Sequence, residues 1–139
     1  FKAALRLDPD HADAVLGLGN VCRLRNDRAG AIRHFRRAVE LDPDHALAHS
    51  SLGTELFGAG RWAESEAAYR EAARLDPGNV GVFQGLGNAR TRLRDSDGAV
   101  AAYREAVRLD PANHMSLCLL ALELENRWEL AEAEALLRD

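Results

Sequence analysis

The chain has 139 residues, of which 29% are charged, and its formal net charge is −4. Its 18 basic side chains are 17 arginines and Lys2, and they are mixed with 22 acidic side chains. This balance argues against nucleic acid as the main partner, because nucleic-acid binding requires a basic stripe on the protein surface. No apolar run is long enough to span a bilayer and no secretory signal begins the chain. We therefore predict no membrane insertion and a cytoplasmic location.

In chain order, the sequence repeats a phrase that ends in Asp-Pro every 34 residues. The phrases are FKAALRLDP, FRRAVELDP, YREAARLDP and YREAVRLDP, which end at Pro9, Pro43, Pro77 and Pro111. Such a period indicates an array in which one structural unit recurs and buries its apolar face against its neighbours. We predict a single array made of the end of a preceding repeat, three whole repeats and a partial one, at 1–11, 12–45, 46–79, 80–113 and 114–139.

Each repeat contains two amphipathic stretches of three to four turns, which predicts a pair of helices. N-cap candidates precede the second helix in the first and third repeats, at Asn26 with Asp27 and at Asp95 with Ser96. The Asp-Pro pair is expected to end that second helix, because a residue before proline is disfavoured in the α region. No stretch alternates apolar and polar residues in the manner of a half-buried strand, so the fold is predicted to be all helix and turns.

The repeats carry small and large residues at fixed positions, and small residues let helices approach while large ones fill the space between them. This pattern of Leu-Gly, aromatic, Ala and Pro resembles that of the tetratricopeptide repeat family. The resemblance implies an all-α fold, a right-handed superhelical solenoid of antiparallel helix pairs. The positions that carry it are the seventh (Leu18, Leu52, Leu86, Leu120), the eighth (Gly19, Gly53, Gly87, Ala121) and the twenty-fourth (Phe1, Phe35, Tyr69, Tyr103, Leu137).

Helical geometry divides the first helix of each repeat into three faces. The fourth, seventh, eighth and eleventh positions form the core face, and the third, sixth and tenth are expected to pack against a neighbouring helix. The second, fifth, ninth and twelfth positions form the remaining flank, which lines the concave groove in the tetratricopeptide family. The resemblance therefore implies a peptide-binding groove that includes Asp13, Leu16, Asn20, Arg23, Leu47, Ser50, Thr54, Phe57, Gln84, Asn88, Thr91, Met115, Cys118 and Leu122, with Arg92 beside it.

The residue types on this groove flank suit an extended peptide. Amide and hydroxyl side chains both donate and accept hydrogen bonds, so they can satisfy a peptide backbone. Leu47, Phe57 and Met115 can take its apolar side chains, and Arg23 or Arg92 can hold an acidic group by bidentate pairing. The alternative is that the polar members are solvated residues of an exposed helix face.

One subfamily of tetratricopeptide modules binds the C-terminal carboxylate of chaperones through lysines and asparagines at set groove positions. In this chain the matching positions hold Asp13, Leu16 and Leu47, and only Asn20 agrees with that pattern. We therefore expect that the chain does not bind chaperone tails.

Neither a metal site nor a catalytic site is predicted. His45 and His49 are four residues apart on one helix face, but zinc requires three or four ligands and no cysteine or acidic residue stands at a matching spacing. The Gly-x-Gly pattern at Gly17 follows no strand, so it predicts close packing rather than phosphate binding. Cys22 and Cys118 stand in repeats too far apart for a disulfide. The chain is predicted to need no cofactor and not to be an enzyme.

The resulting prediction is a protein–protein interaction scaffold that binds a peptide or a partner protein in its groove. One alternative is the substrate-recognition segment of a larger enzyme, such as a glycosyl- or sulfo-transferase. Another is a self-assembling structural protein, because the helix from Met115 to Leu124 is apolar on nearly all faces. This alternative predicts end-to-end self-association through the terminal repeats, which lack caps.

Overall fold

In the computed structural model, the backbone is described for residues 9–138 and the side chains for residues 11–128. This part of the chain consists of helices and short turns, without strands, as predicted. Phe1 and the rest of the preceding repeat up to residue 8 lie outside it. Its helices are α1 (Pro9–Leu24), α2 (Arg28–Leu41), α3 (Ala46–Gly58), α4 (Trp62–Leu75), α5 (Val80–Arg92), α6 (Ser96–Leu109) and α7 (His114–Arg138).

The helices fall into two compact bodies. The N-terminal body ends at Pro77 and contains α1 to α4, and the C-terminal body begins at Gly78 and contains α5 to α7. Within the N-terminal body α1 packs against α2, α2 against α3, and α3 against α4. Within the C-terminal body α5 packs against α6, and α7 packs mainly against α6.

Local sequence signals set the helix ends. The side chains of Asp27 and Asp95 cap α2 and α6, and each accepts a hydrogen bond from the backbone N–H three residues later, at 2.9 and 3.0 Å. This confirms the two N-cap predictions. The aspartate of each Asp-Pro pair follows the last residue of α2, α4 and α6, at Asp42, Asp76 and Asp110, which confirms the predicted ends.

An aromatic ring from each second helix packs against a glycine of the first helix. A Cβ atom added to Gly19 would lie 2.5 Å from the Phe35 ring, and one added to Gly87 would lie 2.3 Å from the Tyr103 ring. Only glycine leaves room for such an approach, so these two glycines serve close packing, as predicted. Gly17 has no atom within 4 Å of the equivalent Cβ position, so the same prediction is wrong there.

Leu18 does not follow its assignment to the core face. Its equivalents Leu52 and Leu86 are buried, whereas Leu18 is 52% exposed. The described residues include no helix before α1 that covers this side of it. The seventh position of the repeat therefore does not by itself place a leucine in the core.

The partial repeat differs from a helix pair. Residues 114–138 form one uninterrupted helix of 25 residues, where the periodicity predicts a first helix, a turn and a second helix. In the whole repeats that turn contains a residue with positive φ, at Asn26, Gly60 and Arg94. Trp128 stands at the equivalent position, and a bulky aromatic residue is disfavoured in the left-handed region.

Candidate functional site

The ninth position of each first helix lies beside the twenty-fourth position of its partner helix. The Tyr69 hydroxyl is 2.7 Å from Thr54 Oγ1, and the Tyr103 hydroxyl donates to Asn88 Oδ1 at 2.8 Å. Because Oδ1 is the acceptor, the N–H groups of the Asn88 amide remain available to other acceptors. In the first repeat Phe35 has no hydroxyl, and Asn20 is half-buried with no side-chain hydrogen bond to the described residues.

Two predicted groove residues of α1 are already engaged in the N-terminal body. Ala48 N–H donates to His45 Nδ1 at 3.2 Å, so Nε2 carries the proton and donates to Asp13 Oδ1 at 2.6 Å. Leu16 is 6% exposed and belongs to the apolar core, so it cannot contact a ligand directly. The assignment of Leu16 to an exposed flank is therefore wrong, because the fifth position borders the core face and an aliphatic side chain turns inward there.

The predicted groove residues of α3 form a mixed apolar and polar row. Leu47 is exposed and Phe57 is half-buried. Ser50 Oγ donates to the Leu47 carbonyl and Thr54 Oγ1 donates to the Ser50 carbonyl, each at 3.0 Å. These hydroxyls therefore donate within their own helix and offer mainly acceptor lone pairs to a ligand.

In the C-terminal body, polar groove residues link α5 to α7. The Gln84 amide nitrogen donates to Ser116 Oγ at 2.8 Å and to Asn113 Oδ1 at 3.3 Å. Thr91 Oγ1 lies 3.3 Å from Glu123 Oε2, and the Glu123 side chain is buried. Gln84 and Thr91 thus hold the helices together and are only partly available to a ligand.

The groove flank of α7 is apolar and open. Met115, Cys118 and Leu122 are all exposed and share one face of the helix. Arg92, at the end of α5, is also exposed, and it takes part in an interaction within the protein. Among the predicted groove residues, α7 contributes two large exposed apolar side chains, Met115 and Leu122, and α3 contributes one, Leu47.

A cleft in the N-terminal body contains a charged pair that the sequence reading missed. Arg28 Nε lies 3.3 Å from Glu55 Oε2, and Arg28 Nη1 donates to the Gly58 carbonyl at 2.8 Å. Arg23 and Asn26 line the same cleft. Glu55 is buried, so the pair has a structural role, and Arg23 is the groove cation beside it. An acidic residue at the tenth position, where Val21 and Ala89 stand in the first and third repeats, was the available signal.

The two tyrosines titrate abnormally because of their burial. Burial raises the pKa of Tyr69 above its ordinary value of 10.0, the hydrogen bond with Thr54 opposes this, and the nearby Glu55 charge adds to it. Burial likewise raises the pKa of Tyr103. The hydrogen bond with Thr91 lowers that pKa, and the Glu123 charge raises it further. Both hydroxyls therefore remain donors at neutral pH.

Two of the histidines have local structural roles. His45 caps α3, and His49 is buried with Nε2 2.8 Å from the Pro43 carbonyl oxygen. No cluster of three or more possible metal ligands occurs within residues 11–128. Cys22 and Cys118 are free thiols. Among the described helices, none combines the length and apolarity that crossing a membrane requires.

Comparison with known proteins defines the family. Models of the tetratricopeptide repeat match residues 1–46, 25–80 and 80–113, so they cover most of the chain. The chain therefore belongs to the tetratricopeptide repeat family, as its sequence resemblance implied. No curated protein sequence matches it significantly.

Three solved structures illustrate the fold. The first tetratricopeptide domain of Spaghetti (RPAP3), bound to the HSP90 peptide SRMEEVD, is 19% identical with a TM-score of 0.84, over 88% of this chain and 97% of that chain. The second such domain of human RPAP3, in complex with the HSP70 peptide SGPTIEEVD, is 22% identical with a TM-score of 0.79, over 84% and 98%. A mutant O-GlcNAc transferase of Thermobaculum terrenum is 23% identical with a TM-score of 0.73, over 88% of this chain and 22% of that chain. At these identities the likeness establishes the shared fold.

Proposed function

We propose that the chain is a protein-interaction module that binds an extended peptide segment of a partner protein along the groove flanks of its first helices. The observation that carries the proposal is the open apolar face of α7, where Met115, Cys118 and Leu122 are exposed together. Exposed apolar patches of this kind mark interaction surfaces in soluble proteins. Membership of a family whose solved members include peptide complexes supports the same role.

The polar residues beside this face supply the means to hold a backbone. The Asn88 amide oxygen accepts from the Tyr103 hydroxyl, and its N–H groups remain available to donate to a peptide carbonyl. Asn20 stands at the same position in the N-terminal body, and Leu47 offers an exposed apolar contact there. Each body thus combines one amide with apolar surface, which suits alternating backbone and side-chain recognition.

The peptide is not expected to end in the acidic EEVD sequence of the peptides in the RPAP3 complexes. In this chain Asp13 is an exposed carboxylate paired with His45, and Leu16 is buried, so neither offers a cation to a C-terminal carboxylate. We therefore propose an internal segment with apolar side chains as the ligand. Titration with SRMEEVD should give no saturable binding, and tight binding of that peptide would contradict this part of the proposal.

A second candidate is a substrate-recognition segment of a larger enzyme, such as a glycosyl- or sulfo-transferase. The fold similarity to the O-GlcNAc transferase, of which the matched region is 22%, favours it. Under this alternative the same flanks bind the enzyme's protein substrate. The discriminating observation is whether the gene continues into a catalytic domain.

The experiment is a selection of displayed random peptides on the 139-residue chain, followed by affinity measurement for groove variants. We expect Asn88→Ala and Leu122→Asp each to weaken the selected peptide about tenfold or more, about 1.4 kcal/mol. Arg104→Ala, at an exposed position of α6 outside the groove flank, is the matched control and should leave affinity unchanged. Equal losses in all three variants, or none in the groove variants, would contradict the proposal.

A further inference from the structure

The uninterrupted course of α7 leaves one of its faces without a partner helix. In α3 the core-face residues His49, Leu52 and Leu56 are buried. The equivalent residues of α7 include Leu117 and Leu124, which are 41% and 38% exposed, and Trp128 on the same face is 66% exposed. Together with Ala121 they form an apolar stripe, spaced by three, four and seven residues, which we call the open stripe. It lies on a different face from the groove flank of Met115, Cys118 and Leu122.

By analogy with the preceding repeat, the segment that should cover this stripe lies further along the same helix, too far away to pack on it. Ala133 and Leu137 stand 34 residues after Ala99 and Tyr103, the α6 residues that are buried in the preceding pair. A helix rises about 1.5 Å per residue, so positions 121 and 137 lie about 24 Å apart along a straight helix. Within one copy the two halves of α7 therefore cannot pack on each other.

We propose that residues 130–138 of a second copy cover the open stripe, so that two chains form a domain-swapped dimer through α7. Each chain then supplies the second helix of the other's fourth repeat, and the two α7 helices lie antiparallel about a twofold axis. Exchange of an identical element between protomers is a low-cost route to a dimer, because each contact copies one already encoded by the repeat. A second copy is the occupant that fits, since it carries the covering residues at the repeat's own spacing.

Trp128 is the residue that favours exchange over a closed hairpin. Closing the pair within one chain requires a left-handed residue at this position, as at Asn26, Gly60 and Arg94. Tryptophan resists that conformation and continues the helix instead. The dimer is thus favoured by backbone chemistry at one position, independently of any peptide bound on the groove flank.

The first test is the molar mass by size-exclusion chromatography with light scattering, at moderate salt because α7 is acidic. We expect twice the 15.2 kDa chain mass. In the Trp128→Gly variant the turn should form and the chain should be a monomer, with half the mass of the dimer. Circular dichroism should show that the variant keeps its helical fold. Trp128→Ala, which removes the indole but keeps the helix, should remain dimeric. A strict monomer at all concentrations, or a dimer that survives Trp128→Gly, would overturn the proposal.

A cross-linking test distinguishes the swap from other dimers. Gly87 and Tyr103 are in contact in the third repeat, and their equivalents are Ala121 and Leu137. Chains carrying Ala121→Cys, mixed with chains carrying Leu137→Cys in a background without the two native cysteines, should form a disulfide heterodimer on oxidation. A dimer without this cross-link, or a bridge formed only inside a chain that carries both substitutions, would reject the exchange.

Discussion

At the residue scale, each whole repeat contains a close contact between an aromatic ring of its second helix and a glycine of its first. The rings of Phe35 and Tyr103 occupy the space that a side chain at Gly19 or Gly87 would need. The tyrosine hydroxyls then reach the ninth position, where they contact Thr54 and Asn88. One aromatic residue therefore both fills the core and orients a polar groove side chain.

Substitution of Gly87 by alanine tests this packing. The added Cβ would meet the Tyr103 ring at 2.3 Å, and overpacking of this kind costs about 1–3 kcal/mol, offset by about 1 kcal/mol of helix propensity. We expect a net loss of stability in chemical denaturation. Gly17→Ala, where the Cβ meets no atom within 4 Å, is the control and should be neutral or stabilising. Equal effects of the two substitutions would show that the ring contact is unimportant.

The two tyrosines provide a test by pH. They are the only tyrosines in the chain, and burial raises the pKa of both above 10.0 in the folded state. Their contribution to stability is therefore complete below the unfolded pKa near 10 and is lost as the pH rises through the folded values. Ultraviolet titration of the phenolates should give midpoints above 10 in the folded chain and near 10 in denaturant. Identical midpoints would show that the hydroxyls are solvated.

At the element scale, the helix boundaries were largely predictable from sequence, because caps and prolines act locally. Asp27 and Asp95 cap their helices, and the Asp-Pro pairs end theirs, as predicted. The course of α7 was not predicted, because periodicity says nothing about the φ angle that the turn requires. Trp128 was the available signal, but its meaning depends on the positive φ of Asn26, Gly60 and Arg94.

The groove flank was less predictable than the helices that carry it. Position on a helical wheel places a residue on a face but not at a depth, and Leu16 therefore turned out to be core. The spacing of residues also does not predict which side chains form hydrogen bonds with each other. Gln84, for example, donates to Asn113 and to Ser116, at the start of another helix. The function of the remaining groove residues stays a prediction that binding experiments must test.

The contact between the start of a second helix and the next first helix gives an element-scale prediction. Arg28 pairs with Glu55, whereas Ser96 and Glu123 hold the equivalent positions in the C-terminal body. Glu123 is buried, and the Ser96 hydroxyl is buried without a hydrogen bond. Ser96→Arg should recreate the pair and raise the free energy of unfolding by about 0.5–1.5 kcal/mol.

The control for this gain is the same substitution in a Glu123→Gln background, where the benefit should fall by most of its value. The reverse change, Arg28→Ser, leaves Glu55 buried and unpaired and should cost about 1–3 kcal/mol. A double-mutant cycle by urea denaturation measures both terms. A gain from Ser96→Arg that is independent of Glu123 would contradict the proposed pairing.

At the scale of the whole molecule, α7 presents two separate apolar surfaces in the C-terminal body. The groove flank of α7 is assigned to a peptide, and the open stripe of the same helix to a second copy. Because the two surfaces lie on different faces, dimer formation and peptide binding should be independent. Variants at Trp128 should therefore change the mass of the chain without changing its affinity for a selected peptide.

The most direct measurement of the central claim is amide chemical-shift mapping of the chain with a selected peptide. We expect the largest shifts on the groove flanks, at Asn88, Met115 and Leu122 in the C-terminal body or at Asn20 and Leu47 in the N-terminal body. The exposed residues of α2, α4 and α6 should shift little. Shifts concentrated on those second helices would place recognition outside the groove flank and contradict the proposed function.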